Sequence, residues 1–183
     1  MASEFQHTKL RAMFDAFDVD GDGYLEEADF TALAARWGGL ARVRTEADLA
    51  ARVRDVMLGW WQHLSTTVDT DGAGRISMAG ILAMVDRLPS MHETVTATAD
   101  TVFDAVDENG DGRISRGEHQ RLIDVWHGRG IETGSTFDLL DQDGDGYLSR
   151  PEFAELWSQF WISDDPTDPG NYLCGPFTGA PTG

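Results

Sequence analysis

The sequence predicts an all-α protein of four helix–loop–helix units, arranged as two pairs in one compact body. Three observations carry this reading. The acidic run Asp-x-[Asp/Asn]-Gly-[Asp/Ala]-Gly occurs four times in 183 residues, starting at Asp18, Asp69, Asp107 and Asp141, at intervals of 51, 38 and 34 residues. Apolar residues recur at helical spacing on both sides of each run. No stretch alternates apolar and polar residues for the length of an ordinary strand.

The elements follow in order. Ser3 and Gln6 suit a capping box, and Leu10, Met13, Phe14 and Phe17 mark one face of the helix they open. A turn at Gly38–Gly39 ends the next helix. Thr45 is expected to cap a long helix whose face is Leu49, Val53, Val56, Met57, Trp60 and Leu64, and this helix lengthens the first interval. A helix from Ile81 to Leu88 should stop before Pro89, where proline breaks the pattern. Ser90 and Glu93 cap the following helix, with Val95, Ala99, Val102, Phe103 and Val106 on its face. Ser149, Pro151 and Glu152 open the last helix, which carries Phe153, Leu156, Trp157 and Phe160. Eight helices result. They divide into an N-terminal pair of units over residues 1–89, with loops 18–29 and 69–80, and a C-terminal pair over 90–162, with loops 107–118 and 141–152. Residues 163–183 form a tail in which Tyr172, Leu173 and Phe177 would fold back onto a cleft between helices.

The chemistry of the loops points to a hard cation. Ca²⁺ takes six to eight oxygens, and a twelve-residue loop supplies them from side chains at places 1, 3 and 5, a carbonyl at 7, an often water-mediated group at 9 and a carboxylate at 12. Place 6 turns sharply and favours glycine. The third loop offers Asp107, Asn109, Asp111, the Arg113 carbonyl, Ser115 through water, and Glu118. The fourth offers Asp141, Asp143, Asp145, the Tyr147 carbonyl, Ser149 and Glu152. The first offers Asp18, Asp20, Asp22, the Tyr24 carbonyl and Glu26, but closes with Asp29. Aspartate is one methylene shorter than glutamate, so this loop should bind Ca²⁺ less tightly and admit six-coordinate Mg²⁺. The second loop has Ala73 at place 5 and Gly80 at place 12, leaving only Asp69 and Asp71. It is expected to hold no metal and to serve as a partner for the first, bridging Leu25 to Ile76 as Ile114 bridges to Leu148.

Three intact loops and a silent second one resemble the EF-hand proteins known as sarcoplasmic calcium-binding proteins, and their actinobacterial relatives of the calerythrin family. The resemblance covers roughly residues 3–162 and includes the long helix before the second loop and the aspartate closing the first. It implies two EF-hand pairs in one body, tight binding of calcium and magnesium, and a buffering role in the cytosol.

Composition narrows the partners. With 14 basic and 32 acidic residues the net charge is −18, a field that repels nucleic acid and anionic membrane and attracts cations. An apolar content of 41% separates the chain from disordered acidic tails. Arginine outnumbers lysine thirteen to one, which suggests a GC-rich bacterial genome. Cys174 stands alone and reads as a small buried hydrophobe. No basic leader or apolar span is evident, so a monomeric cytoplasmic protein is expected.

Three functions compete: a calcium buffer, a sensor that exposes a groove for a target protein, and a binder of an apolar luciferin-like molecule. Sensors favour methionine-lined grooves. Here Met13, Met57, Met78, Met84 and Met91 all fall in the first half of the chain, and the second is rich in aromatic residues. A luciferin site would recruit His63, Trp60, Trp61, His119, Trp126 and Trp161, positions at ordinary core spacing. His92-Glu93 lacks the second histidine of a zinc protease, and no phosphate loop or nucleophile elbow occurs, so no enzyme is expected. Buffering leads.

Overall fold

The computed structural model describes residues 3–68, 71–83 and 92–176, with the side chains of 92–94 left aside. Helix α1 (Glu4–Phe17) leads into a two-residue strand β1 (Tyr24–Leu25) and helix α2 (Glu27–Trp37). After a short helix α3 (Ala41–Thr45), the 21-residue α4 (Ala47–Thr67) reaches the second loop, β2 (Ile76–Ser77) and α5 (Met78–Ala83). The second half runs α6 (His92–Val106), β3 (Arg113–Ser115), α7 (Arg116–His127), α8 (Thr136–Leu140), β4 (Tyr147–Ser149) and α9 (Arg150–Ile162), then a 3-10 turn at Pro169–Tyr172. The fold is all-α, with strands only where loops meet.

Local chemistry sets most boundaries. Ser3 accepts the Gln6 N–H at 3.1 Å and starts α1, whose buried face holds Leu10, Met13, Phe14 and Phe17. Ser115 and Ser149 cap α7 and α9 in reciprocal boxes with Glu118 and Glu152, and Pro151 sits in the first turn of α9. Thr45 departs from expectation. It ends α3, its hydroxyl donates to the Ala41 and Arg42 carbonyls, and α4 starts after Glu46 without a side-chain cap. The count of eight helices fails for the same reason: α3 is a ninth among the described residues, inserted where a plain turn was expected. The expected boundary at Pro89, the Ser90–Glu93 cap, the end of the Ile81–Leu88 helix, Met84, Met91 and Phe177 lie outside the described residues or side chains.

The loops pair as their spacing predicts. β1 and β2 are antiparallel with Leu25 opposite Ile76, and β3 and β4 with Ile114 opposite Leu148. These four side chains are at most 1% exposed, so each bridge buries its apolar residues under the loops.

One core runs through both halves. Phe17 of α1 and Trp60 of α4 lie against Trp126 and Trp161 of the second half, with ring centres 5.3 Å apart for Phe17–Trp126 and for Trp60–Trp161. Trp157 stacks on Trp60 at 6.1 Å and donates its indole N–H to Val95 and Thr98. Polar bonds reinforce the junction. Arg36 of α2 donates to the Trp126 carbonyl at the end of α7, whose last turn closes on Gly128 at φ +68°. A Cβ at Gly128 would lie 2.7 Å from the Arg36 guanidinium, so a side chain there would push the arginine aside as well as meet an unfavourable backbone angle.

The tail is docked. A Cβ on Gly170 would meet the Leu156 carbonyl at 2.4 Å, so only glycine lets this turn lie so close to α9. Asn171, Leu173 and Cys174 are buried. His119 and His127 on α7 bond the carbonyls of Leu173 and Cys174 at 2.8 and 2.9 Å. Burial drives His119 down to about 4, so the ring is neutral and its Nε2–H donates. Lys9, the sole lysine, is 2% exposed and reaches from α1 to the Gln159 and Ser163 carbonyls and to Asn171 Oδ1, at 3.2, 2.7 and 3.0 Å. It thereby joins the first helix, the end of the last helix and the tail.

Lys9→Met should leave those acceptors without their donor and cost about 2–3 kcal/mol in denaturant unfolding, with faster proteolysis of the tail. An unchanged midpoint and an equally resistant tail would show that Lys9 holds nothing. Burial lowers the Lys9 ammonium to about 8, against the pull of Asp164 and Asp168, from an ordinary 10.5. The native state therefore releases this proton before the unfolded chain does. The wild type should gain stability relative to Lys9→Met as pH rises from about 8 to 10.5.

Candidate metal centres

Carboxylates would not gather in a loop unless something held them. In the first loop, Asp18 Oδ1 accepts the Gly21 and Asp22 N–H groups and Oδ2 the Gly23 N–H, at 2.8, 3.1 and 2.9 Å. Asp20 accepts from Asp22, and Asp22 from Tyr24. The fourth loop repeats this scheme: Asp141 accepts from Gly144 and Gly146, Asp143 from Asp145, and Asp145 from Tyr147. Backbone N–H groups thus aim side-chain oxygens inward and partly offset their charge. Ligand oxygens of Asp18, Asp20 and Asp22 converge within 4.8 Å, as do those of Asp141, Asp143 and Asp145.

The third loop has the same turns, with the amide of Asn109 in place of the middle carboxylate. Asp107 takes Asp111 and Gly112 N–H groups at 3.1 and 3.0 Å, Asn109 Oδ1 takes Asp111 N–H, and Asp111 takes Arg113 N–H. Glycines at places 4 and 6 of all three loops have positive φ, from 72° to 87°, a region costly to other residues.

The closing carboxylates are bound to backbone. Asp29 accepts the Val19 and Glu26 N–H groups, so both its oxygens are occupied, and it completes a capping box with Glu26. Glu118 accepts from Glu108, Asn109 and Ser115, and Glu152 from Ser149. Burial raises the pKa of Asp29 above the ordinary carboxylate value, against the two N–H bonds. Tyr24, Arg113 and Tyr147 lie on the bridging strands, with their carbonyls at place 7.

The second loop is built differently. Gly72 stays out of the left-handed region, and the Asp71 N–H bonds the Arg75 carbonyl at 2.9 Å, occupying one lone pair of the place-7 oxygen. The Arg75 guanidinium pairs with Asp71 at 2.9 Å and approaches Glu26 of the first loop at 4.0 Å. It also lies 4.0 Å from the centre of the Tyr24 ring. A side-chain cation thus sits beside Asp71 in the loop that has alanine at place 5 and glycine at place 12. Asp69 lies outside the described residues. The other pair mirrors this stack, with Arg113 over Tyr147 at 4.0 Å. Place 7 is Tyr, Arg, Arg, Tyr along the four loops, a pattern visible in the sequence that marks the partners of each pair.

With this geometry in view, the likeness to known proteins is specific. Models of the EF-hand domain pair match residues 96–158 and residues 2–36. The chain is an EF-hand protein. It is 29% identical over 113 residues to a sarcoplasmic calcium-binding protein of Hediste diversicolor, covering 61% of this chain and 63% of that one. The chain therefore spans under two thirds of the length of that curated relative. Its fold matches the sarcoplasmic calcium-binding protein of amphioxus with a TM-score of 0.74 at 19% identity, over 96% of this chain and 99% of that one. A calcium-binding protein of Streptomyces coelicolor matches with a TM-score of 0.66 at 22% identity, over 86% and 98%. The relatives that this chain resembles are calcium-binding proteins. Among the described residues no helix is long and apolar enough to cross a membrane.

The ion pairs of Arg75 should be sensitive to salt. Arg75→Gln should lower the thermal midpoint of the chelator-treated protein at low ionic strength, and the difference should shrink in 1 M salt, where the Debye length is about 3 Å. Equal midpoints at low salt would show that Arg75 carries no load.

Proposed function

We propose that this protein buffers calcium in the cytoplasm, as a monomer, through three sites. The metal ligands are Asp18, Asp20, Asp22, Glu26, Asp29 and the Tyr24 carbonyl; Asp107, Asn109, Asp111, Glu118 and the Arg113 carbonyl; and Asp141, Asp143, Asp145, Glu152 and the Tyr147 carbonyl. The donor set is all oxygen, as a hard cation requires. Loop 69–80 is the structural partner of loop 18–29. The halves 1–89 and 90–162 act as EF-hand pairs of one body closed by the tail. The ions would neutralise the carboxylates that the loop N–H groups already gather.

The observation that carries buffering over sensing is the shared aromatic core. A sensor must part its helices to admit a target, yet Phe17 and Trp60 are interleaved with Trp126, Trp157 and Trp161 of the other half. Trp60, Trp126 and Trp161, candidates for a luciferin-like site, pack on one another in this core. Opening would expose several large aromatics, each worth roughly 2–3 kcal/mol of burial.

Fluorescence of a hydrophobic dye, followed as calcium is added in millimolar magnesium, should stay low or fall, and equilibrium dialysis should count three ions. Rising emission would replace the buffer with a sensor, and a count of two would remove the first site. Asp29→Glu should raise the calcium-over-magnesium preference of the first loop, because the longer carboxylate can give two oxygens to the larger ion. Equal magnesium competition in variant and wild type would show that Asp29 does not set it.

A further inference from the structure

The short helix α3 has no place in a plain pair of loops, and it lies against the entrance of the third. The Ala41 N–H donates to Glu108 Oε1 at 3.3 Å, and Glu108 is held on its other oxygen by Arg121 at 2.6 Å. Arg42 Nη1 contacts the carbonyls of Asp104 and Asp107 at 3.4 Å each and stands 3.8 Å from Asp107 Oδ2. Its guanidinium carbon is 4.0 Å from where a Cβ on Gly110 would be, whereas Gly21 and Gly144, at the same place in loops 1 and 4, have nothing within 4 Å. A few residues on, Arg52 of α4 pairs with Asp104 of α6 at 3.0 Å.

We propose that α3 is a clamp on the third loop, in which Arg42 is a positioning residue that raises the calcium affinity of residues 107–118 and ties it to the N-terminal half. The proposal rests on the calcium reading above. Two effects of Arg42 oppose each other. Its positive charge repels an incoming cation, and its bonds fix the backbone and carboxylate of Asp107, the first ligand. Glu46 holds the Arg42 Nε at 2.7 Å, so the guanidinium belongs to an ion pair with little net field on a partly exposed surface. Positioning wins. The interval of 51 residues between the first two loops thus has a use in the third.

The test reads each loop separately in the full chain. Gly23, Gly112 and Gly146 each donate their N–H to the first aspartate of their own loop, at 2.9, 3.0 and 2.9 Å, so their amide resonances report loops 1, 3 and 4 one by one. Calcium titrations followed by NMR would compare wild type with Arg42→Met and with Ala41→Pro. The second variant removes one N–H at the first residue of a helix, where proline fits. In Arg42→Met the Gly112 midpoint should move to about tenfold higher calcium, the cost usual for partners that orient a metal ligand. Ala41→Pro should move it the same way by less, and Gly23 should stay in place in both. A Gly112 midpoint unmoved in both variants, or all three midpoints moving together, would overturn the clamp. Glycine signals that ignore calcium in the wild type would remove the calcium reading itself, and the clamp with it, before any variant is made.

Discussion

Everything in this molecule answers to the repulsion among carboxylates that must sit within 4.8 Å of one another. Two unit charges about 4 Å apart repel by roughly 4 kcal/mol at the effective dielectric of a protein surface. Loop N–H groups turned inward offset part of this, and glycines at positive φ make that turning possible. The bridges Leu25–Ile76 and Ile114–Leu148 then fix one loop against another, so that no loop must hold its shape alone. The cation proposed for each intact loop completes a balance that the chain has already begun.

The same economy explains how the halves are joined. A chain of net charge −18 gains little from further surface acids, and several ties between its halves come from arginine: Arg36 on a helix end, Arg42 on a loop entrance, Arg52 on Asp104. The aromatic rings supply the apolar area, and the arginines satisfy carbonyls and carboxylates at its edge. Lys9 does this for the tail from inside the core, where its ammonium stem is covered and its three acceptors belong to two other elements.

What the sequence made legible was whatever depends on neighbours along the chain. The loop turns, the capping serines at 3 and 149, the helical faces and the bridge residues are local patterns, and their physics is local. Thr45 misled because its hydroxyl had a nearer use within its own helix, and α3 itself gives only five residues of weak pattern. The tail's docking depends on Lys9, His119 and His127, residues some 47 to 162 positions from their partners, and no periodicity announces such bonds. One signal was available. A lone lysine among thirteen arginines, on the apolar side of the first helix, is an odd choice for a solvated charge.

The second loop keeps its place in the pair with alanine at place 5 and glycine at place 12. Its partner still needs a strand at Ile76 to pair with Leu25, and that strand needs a folded loop beside it. A metal loop emptied of metal would leave Asp71 and the place-7 carbonyl pointing at nothing. Here Asp71 meets both needs, its N–H taking the carbonyl and its carboxylate taking Arg75. The arginine stands at place 7, the position whose mirror in the other pair, Arg113, stacks on tyrosine in the same way. Arg113 belongs to a loop with oxygen-bearing side chains at places 1, 3, 5 and 12, so the stack on tyrosine does not depend on the residues of the second loop. The stack that joins two loops thus also places the Arg75 guanidinium against Asp71. The loop thereby keeps its fold with Ala73 and Gly80 at places 5 and 12, and it sets the fixed charge of Arg75 4.0 Å from Glu26 of the first loop.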